Sequence, residues 1–344
     1  MRFEEQAEQS HRLNLDLDDR IDSQLKKAST LMTQDQISAL QKLLSRTFFA
    51  NCSKEYLESS AGNRDMEDHV SSRMNLALNN VLPWIERVSC VSEKNVVEFG
   101  CGTGSISAAF AIKGANVFGY EIESSSIEAA TERARILQLK NCQFSQFDPE
   151  ILPQSVLDVW ENAADIVVLF AVLEHTTTEE SVKLIDSAWR CLKPGGLMVV
   201  NDTPNRLSYF DYHTSHIPFF NNMTDDMLAS QAWRSPREDF RESFFGRPMT
   251  EAQGINLVRW GRGVSYHAFE SAIGADVHDH VILAGYESEM LKTWPMFLED
   301  SILLAYFMGK PIAAHQAFAR SALNFVLRKP EDSGAQTVLS SALV

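Results

Sequence analysis

Two short stretches concentrate the side chains of this sequence that can move a proton or hold a ligand. Glu174-His175 places a carboxylate directly beside an imidazole. Tyr209-Phe-Asp-Tyr-His-Thr-Ser-His216 then sets two histidines three apart, among an aspartate and two tyrosines. Imidazole changes charge near physiological pH, so His175, His213 and His216 are the candidate catalytic bases. Glu174, Tyr209, Asp211 and Tyr212 are the candidate substrate contacts around them. A third stretch works through backbone. Residues 96–104 read Val-Val-Glu-Phe-Gly-Cys-Gly-Thr-Gly, followed by Ser105-Ile-Ser-Ala-Ala-Phe. A β-favouring apolar run, a glycine turn and a helix start form a place where a ligand lies against bare N–H groups.

That turn suggests a nucleotide-like cofactor, and its details narrow the choice. A dinucleotide fingerprint is GxGxxG with an acid about 20 residues on. Here the glycines stand at Gly100, Gly102 and Gly104, a GxGxG spacing without a glycine at 105. Glu121 lies 17 residues after Gly104, at the end of the run Val117-Phe-Gly-Tyr-Glu121. A carboxylate there can accept hydrogen bonds from ribose hydroxyls.

The elements that must position these groups alternate. Apolar, strand-like runs fall at 95–99, 116–120, 142–147, 165–171, 197–201 and 281–286, with helical patterns at 105–113, 124–139 and 178–192. Strands alternating with helices predict an α/β fold, a mostly parallel sheet with helices on both faces. Lys193-Pro-Gly-Gly196 reads as the turn that ends the 178–192 helix. Residues 203–262, with four prolines and two histidines, read as an insertion covering the ligand crevice at the sheet's carboxyl edge. Residues 1–90 are expected to be a helical extension, the domain proper to span 91–286, and 287–344 to be a helical tail that frays after 330. Within the extension, Thr33-Gln-Asp-Gln36 resembles a capping box.

Four motifs taken in order resemble class I S-adenosylmethionine-dependent methyltransferases across roughly residues 80–205. They are Glu98-Phe-Gly-Cys-Gly-Thr-Gly104, Gly119-Tyr-Glu121, Gln146-Phe-Asp148, and Leu173-Glu-His175 before Leu192-Lys-Pro-Gly-Gly196. Thr203-Pro-Asn-Arg206 is similar to a segment of ubiquinone-type O-methyltransferases. The resemblance implies a Rossmann-like, seven-stranded sheet and S-adenosyl-L-methionine as cofactor. It implies that Gly100, Cys101, Gly102 and Gly104 line the methionine part, with Glu98 holding the turn. Glu121, beside Ile122, would bind the ribose diol and Asp148, beside Pro149, the adenine amino group. Phe170 and Ala171 would face the methionine moiety. Phe147 precedes Asp148 where glycine is commoner in the family. Each has a plainer use as well: Glu98 as a structural carboxylate, Cys101 as a small filler rather than a reactive thiol.

Methyl transfer from a sulfonium is an in-line displacement in which the enzyme mainly positions the acceptor, and a hydroxyl acceptor also needs a base. A metal reading would join Glu174, His175, His213 and His216, as in small-RNA 2′-O-methyltransferases. The earlier acidic position of that pattern is Ala171 here, so no metal is expected. Arg259 and Arg262 read as solvated loop residues, and His267, His278 and His280 as structural.

Composition limits the partners. The chain has 344 residues, 44% hydrophobic and 22% charged, an ordinary globular balance. A net charge of −15 argues against life on phosphate backbones, so nucleic acid is not an expected partner. No stretch approaches the roughly 20 apolar residues of a membrane span. Five scattered cysteines form no CxxC pair, which fits a reducing cytoplasm. The expected function is methyl transfer to a small-molecule acceptor, with oxygen ahead of sulfur or nitrogen. Two alternatives stand beside it: a methyltransferase of RNA, protein or glycan, and a non-catalytic scaffold whose added helices build an interface such as a homodimer.

Overall fold

The structure, a computed structural model, describes residues 32–147, 152–309 and 314–331. Seven strands form one mixed sheet in the order β3-β2-β1-β4-β5-β7-β6. They are β1 (Asn95–Phe99), β2 (Asn116–Glu121), β3 (Cys142–Gln146), β4 (Ala164–Phe170), β5 (Leu192–Pro204), β6 (Val281–Leu283) and β7 (Ala322–Arg328). By internal contacts the chain divides into two compact units. No helix among the described residues is long and apolar enough to cross a membrane.

The first unit comprises residues 1–93, 101–146 and 288–295. Its helix Gln34–Arg46 begins with the expected capping box: Gln36 N donates to Thr33 Oγ1 at 3.3 Å and Thr33 N to Gln36 Oε1 at 2.9 Å. Leu40, Leu43 and Leu44 form its buried stripe. From Ser60 to Ile85 the chain is helical, with π-type turns at Asp68–Ser72 and Ala77–Val81. β2 and β3 pair in parallel, Val117 opposite Cys142 and Glu121 opposite Gln146. One side chain holds this unit's polar centre. Arg133, fully buried in the helix Ser124–Ile136, donates from Nε to Thr103 O (2.7 Å), from Nη1 to Val70 O (3.1 Å) and from Nη2 to His69 O (2.5 Å). Ser105 Oγ donates to the same His69 carbonyl, and His69 Nδ1 meets Thr103 Oγ1 at 3.2 Å. Burial, with Arg73 and Arg133 nearby, pushes the His69 imidazole down to about 2, so this ring is neutral.

The second unit comprises residues 94–100, 147–287 and 296–344. β1 pairs with β4 and β4 with β5, all parallel, and their Val, Ile and Leu side chains are buried on both faces. β7 runs antiparallel to β5 and carries the short β6 on its other side. The insertion has its own core of Ile217, Phe220, Leu228, Phe240, Phe244 and Leu257.

Four expectations are corrected. The tail expected to be helical contains β7, whose Phe325 and Val326 are β-favouring. The Lys193-Pro-Gly-Gly196 segment is not a free turn: Gly195 N donates to Lys329 O and Lys329 N to Gly196 O, which lengthens β5. β6 stops at Leu283 rather than 286, because Gly285 sits at φ +77° with its Cα so close to Asn324 that an added Cβ would lie 2.3 Å from Asn324 O. A helix, Leu152–Trp160, lies between β3 and β4 where no helical pattern was read. The expected regions 1–31 and 332–344 lie outside the described residues.

Arg133→Met would remove the guanidinium from the Thr103 and Val70 carbonyls and leave the His69 carbonyl to Ser105 alone, a buried acceptor costing about 1–3 kcal/mol when unsatisfied. The expected result is a loss of roughly 3–5 kcal/mol of unfolding free energy in urea titration. A loss below about 1 kcal/mol would show that the guanidinium does not hold the unit together.

Candidate active site

In the first unit the glycine turn presents N–H groups and a carboxylate. Gly102 lies at φ +50°, and a Cβ added there would meet no atom within 4 Å, so its outer side is open. Its N–H donates to Glu121 Oε2 at 2.9 Å, while Glu121 Oε1 accepts from Ile122 N at 2.7 Å. Gln146 Nε2 holds the Ile122 carbonyl at 2.8 Å. The end of β2 and the glycine turn thereby share one oriented carboxylate. Gly104, at φ +75°, is needed for packing: its Cβ would lie 2.9 Å from Ala130 Cβ. Cys101 is buried and its sulfur lies against Gly119, which fits a filler. Open space over Gly102 beside an aimed carboxylate fits the ribose and methionine portions of S-adenosylmethionine. Asp148 and Pro149 lie outside the described residues.

In the second unit β1 and β4 end side by side. Glu98 is buried opposite Val168, and Phe99 pairs with Leu169. Gly100, at φ +69°, leaves no room for a side chain, since a Cβ would lie 2.4 Å from Val172 Cγ2. Phe170 is buried at the end of β4. Ala171 follows at φ +46°, an uncommon conformation for a residue with a side chain, and donates its N–H to Asn201 O at 3.0 Å. Beside it the register of β5 shifts between Val200 and Thr203, and Asn324 Oδ1 pins the irregularity by accepting from Asn201 Nδ2 and Asp202 N. Such irregularities re-aim strand ends.

The 3-10 turn Leu173–His175 comes next, and there the acid–base residues meet. The Glu174 carboxylate is buried. His175 Nε2 lies 3.7 Å and His213 Nε2 4.0 Å from the same oxygen, Glu174 Oε1. The two rings are 5.4 Å apart. Their outer nitrogens fix the tautomers. His175 Nδ1 is 2.8 Å from Arg259 O, and a carbonyl only accepts, so the proton is on Nδ1. Thr214 gives its hydroxyl hydrogen to Trp260 O or Gly261 O, at 2.9 and 2.7 Å, so it accepts from His213 Nδ1 at 3.0 Å. Both Nε2 atoms thus carry lone pairs. Burial, then the neighbouring His175, holds His213 well below the ordinary imidazole range.

Arg259 clamps this arrangement. Its guanidinium makes a two-point contact with Glu180, at 2.7 Å on each oxygen, and donates to His175 O at 2.6 Å. The Arg259 hydrogen bond, followed by the Thr177 backbone, holds the Glu180 carboxyl down to about 2. Arg262 N donates to Glu174 O, and the Arg262 guanidinium lies over Phe220 with Asp225 at 3.3 Å. Arg262 is buried rather than solvated, and Arg259, exposed as expected, lies on the helix Glu251–Trp260 and is paired rather than sitting in a loop.

The other sequence candidates go elsewhere. His216, at φ +53°, is not in the Glu174 group. The Asp211 carboxylate folds the loop itself, accepting from His213 N, Thr214 N, Ser215 N and Ser215 Oγ. Tyr212 donates to Glu299 and stacks on Phe297, and Tyr209 packs edge-on to Phe219. His278 bonds Glu270 at 2.9 Å and His280 stacks on Trp189. Thr214 and Gly261 escaped the sequence reading. Gly261 lies at φ +114°, and a Cβ there would be 2.7 Å from His213 Nδ1.

Residues 91–239 match a family described as a methyltransferase domain. The chain is 32% identical over 126 residues to the ubiquinone biosynthesis O-methyltransferase of Pseudomonas putida (strain GB-1), covering 36% of this chain and 50% of that protein. The corresponding protein of Pseudomonas aeruginosa (strain UCBPP-PA14) is 32% identical over 124 residues, covering 35% and 50%. The chain thus spans about half the length of the curated relatives it matches. Among solved structures it is similar to the magnesium protoporphyrin IX methyltransferase of Synechocystis PCC 6803 with bound SAM, at 20% identity and TM-score 0.36, covering 52% of this chain and 80% of that one.

Gly261→Ala is expected to cost about 1–3 kcal/mol through backbone strain and contact with His213. In thermal melts the variant unfolds earlier, and in NMR spectra the His213 ring signals move while those of His267 stay in place. Unmoved His213 signals would show that the ring is not held against this glycine.

Proposed function

We propose that this chain, whose residues 91–239 match a methyltransferase-domain family, transfers a methyl group from S-adenosylmethionine to the oxygen of a small molecule. The observation that carries the acceptor type is the meeting of Glu174 Oε1, His175 Nε2 and His213 Nε2. These atoms offer lone pairs and no hydrogen, which suits a group that arrives as O–H and must give up its proton. The name of the Pseudomonas relatives, an O-methyltransferase, supports the same atom.

The division of labour follows from the residues. The Gly102 N–H, the open side of that glycine and the Glu121 carboxylate would hold the cofactor, with Cys101, Gly104 and Ile122 shaping the turn. Bound there, S-adenosylmethionine supplies an electrophilic methyl and a neutral thioether leaving group. The protein's task is then to orient a hydroxyl and lower its hold on its proton. Within the second unit Ala171 and His175 are four residues apart beyond β4, so a single turn positions both. The insertion, with Thr214 and Arg259 bracing the two imidazoles, would form the acceptor side. A net charge of −15 supports a small acceptor over nucleic acid.

Two measurements test this reading. Calorimetric titration is expected to show S-adenosylmethionine binding that Glu121→Ala weakens about 10- to 100-fold, the loss of hydrogen bonds to a charged group worth about 1.5–3 kcal/mol. A panel of phenols, catechols and aliphatic alcohols, scored by S-adenosylhomocysteine release, should contain a substrate whose turnover falls at least about tenfold in His175→Ala. Absence of cofactor binding, or binding untouched by the Glu121 change, would reject the reading.

A further inference from the structure

The geometry points to a site for one first-row divalent cation, of the zinc, cobalt, manganese or iron(II) class, held by Glu174 Oε1, His175 Nε2 and His213 Nε2. Three features of the cluster carry this. The first is convergence: one ligand atom from each residue lies within 4.8 Å of the other two, and both nitrogens are within 4.0 Å of the same carboxylate oxygen. A cation about 2.0–2.2 Å from each donor needs donors roughly 3–3.5 Å apart, so small side-chain shifts complete the set.

The second feature is direction. At 3.7 and 4.0 Å neither imidazole hydrogen-bonds to Glu174 through Nε2, and both Nδ1–H groups are committed outward, to Arg259 O and Thr214 Oγ1. An outward Nδ1–H on a carbonyl or hydroxyl is the arrangement that fixes a histidine for coordination through Nε2. The third feature is the open side. The carboxylate is buried, but the His175 and His213 side chains keep 41% and 37% of their surface exposed. Three protein ligands with an open flank match a cation that also takes a substrate atom, not a closed structural site. Two imidazoles and one carboxylate favour borderline metals over calcium or magnesium, which prefer all-oxygen sets.

This assignment departs from the sequence expectation of no metal, which rested on the missing acid at Ala171. It deepens the proposed function, on which it rests for the acceptor's identity: a cation here would bind the acceptor oxygen and lower its proton affinity. A cation and an O–H proton compete for the same lone pairs, so the cation would take over the task assigned above to the bare imidazoles.

The test uses the full chain, stripped with a chelator and titrated with cobalt(II) by visible absorbance and with zinc(II) by calorimetry. The expected result is one equivalent per chain. His213→Ala abolishes it, and Glu174→Gln weakens it at least tenfold. Thr214→Val, which keeps all three ligands and removes the hydroxyl that accepts from His213 and donates to Trp260 O or Gly261 O, weakens it by about 10-fold or more. His267→Ala, on an exposed histidine away from the set, leaves it unchanged. Circular dichroism and cofactor titration of each variant report folding separately. No saturable equivalent, equal binding in His213→Ala and the parent, or loss in His267→Ala would overturn the site. Cation binding without methyl transfer would leave this assignment standing and remove the functional reading; transfer without cation binding would do the reverse.

Discussion

The reciprocal pairing of His175 with Arg259 is the constraint on which the candidate site depends. Each residue offers its backbone carbonyl to the other's side chain, at 2.8 and 2.6 Å. The Arg259 guanidinium also grips Glu180, whose own carboxylate caps the helix Thr178–Cys191 with Thr177. A planar guanidinium can serve both acceptors at once, whereas a lysine ammonium would lose the two-point geometry. One residue late in the insertion thereby sets the tautomer of a residue at the end of β4. The neighbouring Arg262 N–H on Glu174 O repeats the contact one step along. Together with the Asn205–Val264 bridge, these contacts fix the register of the long segment between β5 and β6 against the strand ends.

The sequence made the glycine turn and its strands readable and left the Glu174 cluster half-read, for physical reasons. A strand buried on both faces must be an apolar run, and a turn with three left-handed positions needs its glycines, so β1, β2, β4 and the Gly100–Gly104 turn stand out. β7 did not, because its short apolar stretch, interrupted by Asn324 and following a helical pattern, matches either period. The histidine pair in the insertion shows a different limit. Spacing alone cannot tell which of His213 and His216 faces Glu174, since the loop path decides it. Asp211 looked like a functional acid and is instead the acceptor for the backbone that makes that path. Gly261 and Thr214 carry no sequence signal at all; their roles exist only where chain segments nearly 50 residues apart meet.

Strain gathers where ligands are expected to lie. Gly100, Ala171 and Asp202 adopt left-handed conformations at the ends of β1, β4 and β5, and Asn324 on β7 fastens the last of these. The antiparallel strand that closes the sheet therefore also holds the kink beside the candidate site. Positions of this kind persist when the surrounding contacts over-determine them.

Arg133 sets a boundary of its own. Its guanidinium reads two carbonyls of the helical run before β1 and one in the glycine turn. The match to the methyltransferase-domain family begins at residue 91, after that run. Inheritance and folding thus divide the chain at different places. The segment before residue 91 supplies two of the three carbonyls that hold Arg133, so a chain trimmed at the family boundary would leave this buried guanidinium with the Thr103 carbonyl alone.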